Sequence, residues 1–376
     1  MSERVKIRPL TSVRFIAAFL IVLAHASAST LFGFQFSERT HYILGAGVSF
    51  FFVLSGFIIT YTYGELEGRA DMMRFWGARF SRIWPTHALT FLVCLAVIPS
   101  AAWAPGGAGI LPALANITLA QALIPVPQYY FSFNAPSWSI STEAYFYLFY
   151  PLAAVAMAWR VWAPVAIAAV GVMAMIAVSL LFDLPSYTVD SLTRATVHGV
   201  MSINPIARFF EFACGMAAAA LWSHLKERPV PTLGAGTLWE VAAALLAVVS
   251  IVLMQDVGIA LEARGVPEAV TMWIRLGASA VPFAAFILVL SLEQGFLAKA
   301  LSGRLMVVLG EVSFAMYMLH QLALHYMADA GFHAARADWP MFAAFCVAII
   351  LLSYAVWMLV ERPSRRLLNR VFAREA

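Results

Sequence analysis

The chain is poor in charge. Only 12% of its 376 residues are Asp, Glu, Lys or Arg, roughly half the share found in soluble domains. Hydrophobic residues make up 62%, and the mean hydropathy is +0.82. One globular core cannot hide that much apolar surface, so a soluble domain is excluded and a polytopic membrane protein is expected. Cysteine is scarcer still. Cys94, Cys214 and Cys346 each sit inside an apolar run. An odd count without paired spacing makes neither a disulfide framework nor a zinc site, and no other metal-ligand spacing is present. The chain also lacks an internal repeat, a low-complexity tract and a G-x-S-x-G nucleophile elbow.

What it has is a series of apolar stretches. Ten are long enough to span a bilayer, at about 13–33, 43–63, 84–103, 138–158, 161–182, 205–225, 238–256, 273–291, 305–325 and 339–360. Each comes close to the ~20 residues that a membrane-crossing helix needs. The expectation is an all-α, integral-membrane domain over residues 1–376. The longest connection, 104–137, contains the moderately apolar LPALANITLAQALI, which suits a re-entrant or surface helix; the next longest is 183–204.

The few basic residues are unevenly placed. Arg4, Lys6 and Arg8, then Arg69, Arg74, Arg79 and Arg82, then Arg160, Lys226, Arg228, Lys299 and Arg304, and finally Arg362, Arg365, Arg366, Arg370 and Arg374 all fall on alternate ends of the spans. The other ends hold Arg39, Arg194, Arg264 and Arg336. Positive charge stays on the cytoplasmic side, so both termini are expected inside, and the number of spans is expected to be even. The net charge of +4 thereby reads as topology and argues against a nucleic-acid partner. The basic N-terminus, the apolar run and Ala26-Ser27-Ala28 resemble a cleavable signal peptide. Arg14 inside that run, and its continuation past the would-be cut, favour a retained first span.

An ionisable side chain in mid-bilayer costs roughly 3 kcal/mol or more and usually faces a cavity or a partner. Within the expected spans these are Arg14, His25, Glu143, Arg208, Glu211, Arg275, Glu311 and His320. Arg14 and His25 are eleven apart, close to three helical turns, so both point the same way across a rise of about 16 Å. That spacing puts a phosphate-binding charge at the cytoplasmic entrance and a titratable base roughly half-way through the hydrocarbon. It equally fits a snorkelling arginine with a histidine bonded to a neighbouring helix. Arg208 and Glu211, three apart, suit a local ion pair. Arg275 suits snorkelling. Glu311 and His320 face different directions and cannot form a dyad alone. The small residues of GAGVSFFFVLSGFIIT (45–60) suit close helix packing. DMMRFWGARFSRIWP (71–85) is amphipathic and basic, as an interfacial helix would be, and its Arg79 and Arg82 can also fork onto one polyphosphate.

Six segments, LTSVRFIAAFLIVLAHA (10–26), GVSFFFVLSGFIIT (47–60), ARFSRIWP (78–85), WSISTEAYFYLFYP (138–151), GEVSFAMYMLH (310–320) and ERPSRR (361–366), taken in order resemble the membrane-bound acyltransferase-3 family, which O-acylates carbohydrates and some small molecules. The resemblance implies a ten-span core using cytoplasmic acyl-coenzyme A, usually acetyl-CoA, in the bacterial cytoplasmic membrane. It matches the family's first-span arginine and histidine to Arg14 and His25, its R-x-x-R pair to Arg79 and Arg82, and the glutamate of W-S-x-x-x-E to Glu143. Thr11-Ser12 stands where many members have Asp-Gly, and His87 where many have tyrosine; both departures leave the acceptor open. Many relatives add an extracytoplasmic esterase-like domain. With none here, acceptor recognition is expected from the membrane core, its outer loops or a partner such as a polysaccharide-assembly protein.

The expected site is then His25, Glu143 and Arg14 for the chemistry, Arg14, Arg79 and Arg82 for the donor, and Glu143, Tyr147, Ser139 and His320 for the acceptor, without a metal. His25 would act as general base on an acceptor hydroxyl arriving from outside, and Glu143 would orient either the acceptor or His25. Exopolysaccharide, O-antigen, glucan and macrolide-like acceptors all remain compatible. A transporter or flippase of a polysaccharide pathway is the competing class, since it too would need charges inside the membrane.

Overall fold

The computed structural model describes residues 6–99, 103–107, 109–227 and 232–375; Arg4 and Arg228 lie outside them. The described residues form helices and connecting turns, with no strand among them. In chain order the helices that position the site are α1 (Arg8–Ala28), α2 (Glu38–Gly45), α3 (Gly47–Tyr63), α4 (Gly68–Val97), α5 (Ile110–Ile117) and α6 (Ser137–Trp159). They are followed by α7 (Ala163–Leu181), α8 (Pro205–Leu225), α9 (Leu233–Glu262), α10 (Glu268–Gly277) and α11 (Ala280–Ser291). The last four are α12 (Phe296–Leu301), α13 (Arg304–Asp329), α14 (Trp339–Val356) and α15 (Arg362–Glu375), with a π-helical turn over Trp357–Glu361 joining the final two.

Among the described residues nine helical segments are long and apolar enough to cross a membrane. The span expected at 138–158 corresponds to α6, which falls outside those nine. At 23 residues it is about 34 Å long, ample to cross; Ser137, Ser139, Ser141, Thr142 and Glu143 dilute its hydropathy. Lys6, just before α1, and Arg365, in α15, line the same cavity, so the first and last of these helices meet there. Two expected spans are broken helices: α2 meets α3 at Ala46, and α10 meets α11 at Ala278–Ser279. The expected amphipathic segment 71–85 is no separate surface helix but the first half of α4, which continues through Pro85. The connection 104–137 carries a short helix, α5.

The helices divide into a centre and a rim. The apolar windows of α1, α2–α3, α8 and α13 are 61% buried, whereas those of α7, α9 and α14 are 22% buried and turn outward, as lipid-facing helices do. Glycine permits the central crossings. A Cβ on Gly56 of α3 would lie 2.0 Å from the Phe212 carbonyl oxygen, and one on Gly215 of α8 would lie 1.9 Å from the Val53 oxygen. On Gly310 of α13 it would lie 2.0 Å from the Thr11 oxygen of α1. Such contacts replace hydrophobic drive where the solvent is lipid.

The expected Arg208–Glu211 pair is present and fully enclosed. Arg208 Nε donates to Glu211 Oε1 at 2.7 Å, Nη1 to the Ser202 carbonyl at 3.1 Å and Nη2 to Ser49 Oγ at 2.8 Å. The guanidinium also lies 5.0 Å from the centre of the Phe52 ring. Arg275 does not snorkel alone; it forms an ion pair with Glu262.

Candidate active site

The helices enclose a cavity of about 730 Å³ between α1, α3, α4, α6, α13 and α15. That volume lies within the roughly 300–1,000 Å³ of small-molecule sites. Of the residues expected from sequence, Arg14, Arg79, Arg82, Ser139, Glu143 and Tyr147 all line it. They arrive from three helices. Arg14 lies in the second turn of α1. Arg79 and Arg82, three apart on α4, share a face. Ser139, Glu143 and Tyr147, spaced by four on α6, form one polar stripe facing the cavity.

The cavity is cationic at the end lined by Lys6 and Arg365. Arg79 Nη2 donates to the Tyr63 hydroxyl at 2.9 Å, and its guanidinium lies 5.1 Å from the Tyr63 ring centre and 5.9 Å from that of Tyr147. Its Nε has no partner. Arg14 and Arg82 make no hydrogen bond or ion pair among the described residues. Sequence reasoning assigned Lys6 and Arg365 to topology only, yet both join this wall. Lys6 pairs with Glu311 of α13. Burial, followed by the fields of Arg82, Arg14, Arg365 and Arg8, lowers the Lys6 ammonium to about 8.

Deeper in, Ser55 Oγ donates to Glu143 Oε1 at 2.6 Å, and the Tyr147 hydroxyl reaches the same carboxylate. Ser139 Oγ and the Tyr317 hydroxyl are 2.8 Å apart, and the Tyr317 hydroxyl donates to the Pro136 carbonyl at 3.1 Å. Tyr150, on the face shared with Tyr147, is used structurally and donates to the Gly64 carbonyl at 2.6 Å.

His25 and His320 are placed differently. Neither lines the cavity. The sequence put the end of the first span near residue 33 and His25 half-way across. Helix α1 instead stops at Ala28, and Thr30 turns the chain with φ +61°, so His25 occupies the last turn. His25 Nδ1 lies 2.7 Å from His320 Nε2, with the rings nearly parallel and their centres 5.0 Å apart. The partner of His25 is therefore His320, and Glu143 is bonded to Ser55. Tyr317 links the two regions: it lines the cavity, and its ring centre is 5.7 Å from that of His320. The ring of His41, on α2, lies 6.1 Å from that of His25.

The site thus combines a cationic mouth suited to a polyphosphate, an interior with hydroxyls and the Glu143 carboxylate, and an imidazole pair beyond Tyr317. Among the described residues no group of three or more His, Cys, Asp or Glu could hold a metal.

The acyltransferase-domain family profile matches residues 10–358. The acyltransferase MdmB of Streptomyces mycarofaciens is 29% identical over 396 aligned positions, covering 97% of this chain and 93% of that protein. No solved structure matches. With a family match across nearly its whole length, laid over a helical bundle with a cationic cavity, the chain belongs to the membrane-bound acyltransferase-3 family.

Proposed function

We propose that the protein is an O-acyltransferase of the bacterial cytoplasmic membrane that moves an acyl group, acetyl in the simplest case, from cytoplasmic acyl-coenzyme A to a hydroxyl of a carbohydrate such as an exopolysaccharide or O-antigen unit. The cavity carries this reading: its mouth gathers Lys6, Arg14, Arg79, Arg82 and Arg365, with Glu311 beside Lys6 and Glu143 further in. A multiply anionic nucleotide cannot enter lipid, but it can rest on that mouth through charge-assisted bonds. The slim, mostly uncharged pantetheine arm then runs inward between Ser55, Glu143 and Tyr147 and carries the thioester towards Tyr317.

In this reading the thioester passes Tyr317 to meet His25, and the acceptor approaches from the face opposite the termini. In the tautomer in which His25 Nδ1–H donates to His320 Nε2, His25 Nε2 is left to take the proton of the attacking hydroxyl. The alcohol oxygen forms the new ester bond, the carbon–sulfur bond breaks, and the protonated imidazole of His25 returns its proton to the coenzyme A thiolate as it leaves. Glu143, held by Ser55, orients the arm or the acceptor.

The test is mass analysis of surface glycans from a deletion strain, paired with incubation of the purified full chain with acetyl-CoA and the glycan from that strain. Loss of an acetyl increment in cells and its restoration in vitro are the expected results. Unchanged glycans, or solute flux across vesicles with no acyl transfer, would favour the transporter class instead.

A further inference from the structure

We propose that Arg365 is a phosphate-binding residue of the donor site and that the C-terminal helix α15 docks on α4 to deliver it. The proposal rests on the donor reading above. In the sequence Arg365 falls in the closing ERPSRR segment and is counted with the other arginines after the last span as a charge that fixes orientation. In the fold it differs from them. Arg365 is half-buried and lines the cavity, whereas its neighbour Arg366 is exposed and does not.

Its surroundings are short of negative charge. Arg365 lies in the field of Arg82 and Arg79, and it makes no hydrogen bond or ion pair among the described residues. The carboxylate that faces this group, Glu361 in the π-helical turn, interacts electrostatically with Arg82, Arg14 and Arg365. It is 3% exposed, and its Oε2 has no partner. A structural salt bridge would bring one of these arginines onto that oxygen, and none comes within ion-pair distance. Three guanidiniums gathered without a bonded counter-ion are costly unless an anion joins them. Arginine's planar fork matches phosphate oxygens two at a time.

The docking of α15 is specific. Ser81 Oγ, between Arg79 and Arg82 on α4, donates to Asn369 Oδ1 at 2.6 Å. Phe372 packs into the space left by Gly77, where a Cβ would lie 2.5 Å from its ring, and its ring meets that of Phe80 edge-on at 6.3 Å. Helix α15 is thereby keyed to the stretch of α4 that carries the two donor arginines, and Arg365 is set beside them.

The experiment is calorimetric binding of coenzyme A and, separately, of pantetheine, which lacks the phosphates, to the purified full chain. Arg365→Ala should weaken coenzyme A by about tenfold or more, as expected for the loss of a charged hydrogen-bonding partner. It should leave pantetheine binding unchanged, and Arg365→Lys should recover part of the loss. Gly77→Leu, which displaces Phe372, should reproduce the weakening, and Arg366→Ala should match the parent protein. If Arg82→Ala weakens coenzyme A and Arg365→Ala does not, Arg365 is no donor residue although the donor reading stands. If Arg365→Ala weakens both ligands equally, its role is structural and the proposal fails. If the parent protein does not bind coenzyme A at all, the donor reading fails and takes this proposal with it.

Discussion

His25 and His320 face each other through Nδ1 and Nε2 at 2.7 Å, with ring planes only 7° apart. Two imidazole nitrogens at that distance share a single hydrogen, so one donates while the other accepts. The arrangement fixes the ring of His25 and leaves its Nε2 free. It joins α1 to α13, so the geometry of the imidazole depends on a contact between residues 295 positions apart.

The first prediction concerns that pair. With His25 as the base, His25→Ala should lower turnover by about 10²-fold or more, within the usual range for a positioned base. His320→Ala should lower it at least tenfold, and His320→Gln, which keeps a hydrogen-bonding group, should recover part of the loss. Coenzyme A binding should not change in any of them. Single-turnover acyl transfer beside a binding isotherm checks this, and full turnover in His25→Ala would remove the histidine from the mechanism.

A second prediction follows from Lys6, whose ammonium is lowered to about 8 by burial and by the neighbouring arginines. Below that pH Lys6 is positive, pairs with Glu311 and attracts the donor phosphates. As pH rises through about 8 the proton leaves, and the mouth loses one of the positive charges that attract the donor phosphates. The ratio kcat/KM reports groups of the free enzyme, so for acyl-CoA it should fall on the alkaline side of pH 8. Lys6→Arg, which stays charged, should flatten that limb. A profile identical in the two proteins would exclude Lys6 from donor capture.

The third prediction concerns the enclosed pair on α8. Arg208 is 3% exposed and Glu211 0%, so removing one partner strands a buried charge. Glu211→Ala is expected to destabilise the protein by about 3–5 kcal/mol. Replacing both residues together with apolar side chains of similar size should cost far less. Thermal unfolding in detergent, read as a double-mutant cycle, measures the difference. Additive losses would mean that the two charges are not coupled.

Several features could be read from the linear chain because each leaves a local mark. A run of apolar residues needs no partner to be recognised as a membrane helix. Arg14 and Glu143 stood out because a charge in an apolar stretch demands a cavity, Arg79 and Arg82 because two arginines three apart can fork onto one polyphosphate, and all four line the cavity. The pairing of Arg208 with Glu211 follows from a spacing of three on one helix. Helix α6 is instructive, since two of the residues that weaken its hydropathy, Ser139 and Glu143, line the cavity.

Other features have no local mark. A basic residue outside a span looks the same whether it fixes topology or meets a ligand, so Lys6 and Arg365 could not be told from Arg366. The depth of His25 turned on where α1 stops, and a turn at Thr30 ends it sooner than the apolar pattern does. The partners of Glu143 and His25, Ser55 and His320, lie 88 and 295 residues away.

Composition and periodicity by themselves determined that this is a helical membrane protein and which charges had to be sheltered, because the cost of exposing a polar group to lipid falls on each segment separately. Tertiary structure alone decided which shelters coincide. Helix–helix contact in lipid is set by close fit at points such as Gly56 with Gly215 and Gly310 with α1, and that fit belongs to pairs of surfaces, which no single stretch of sequence contains.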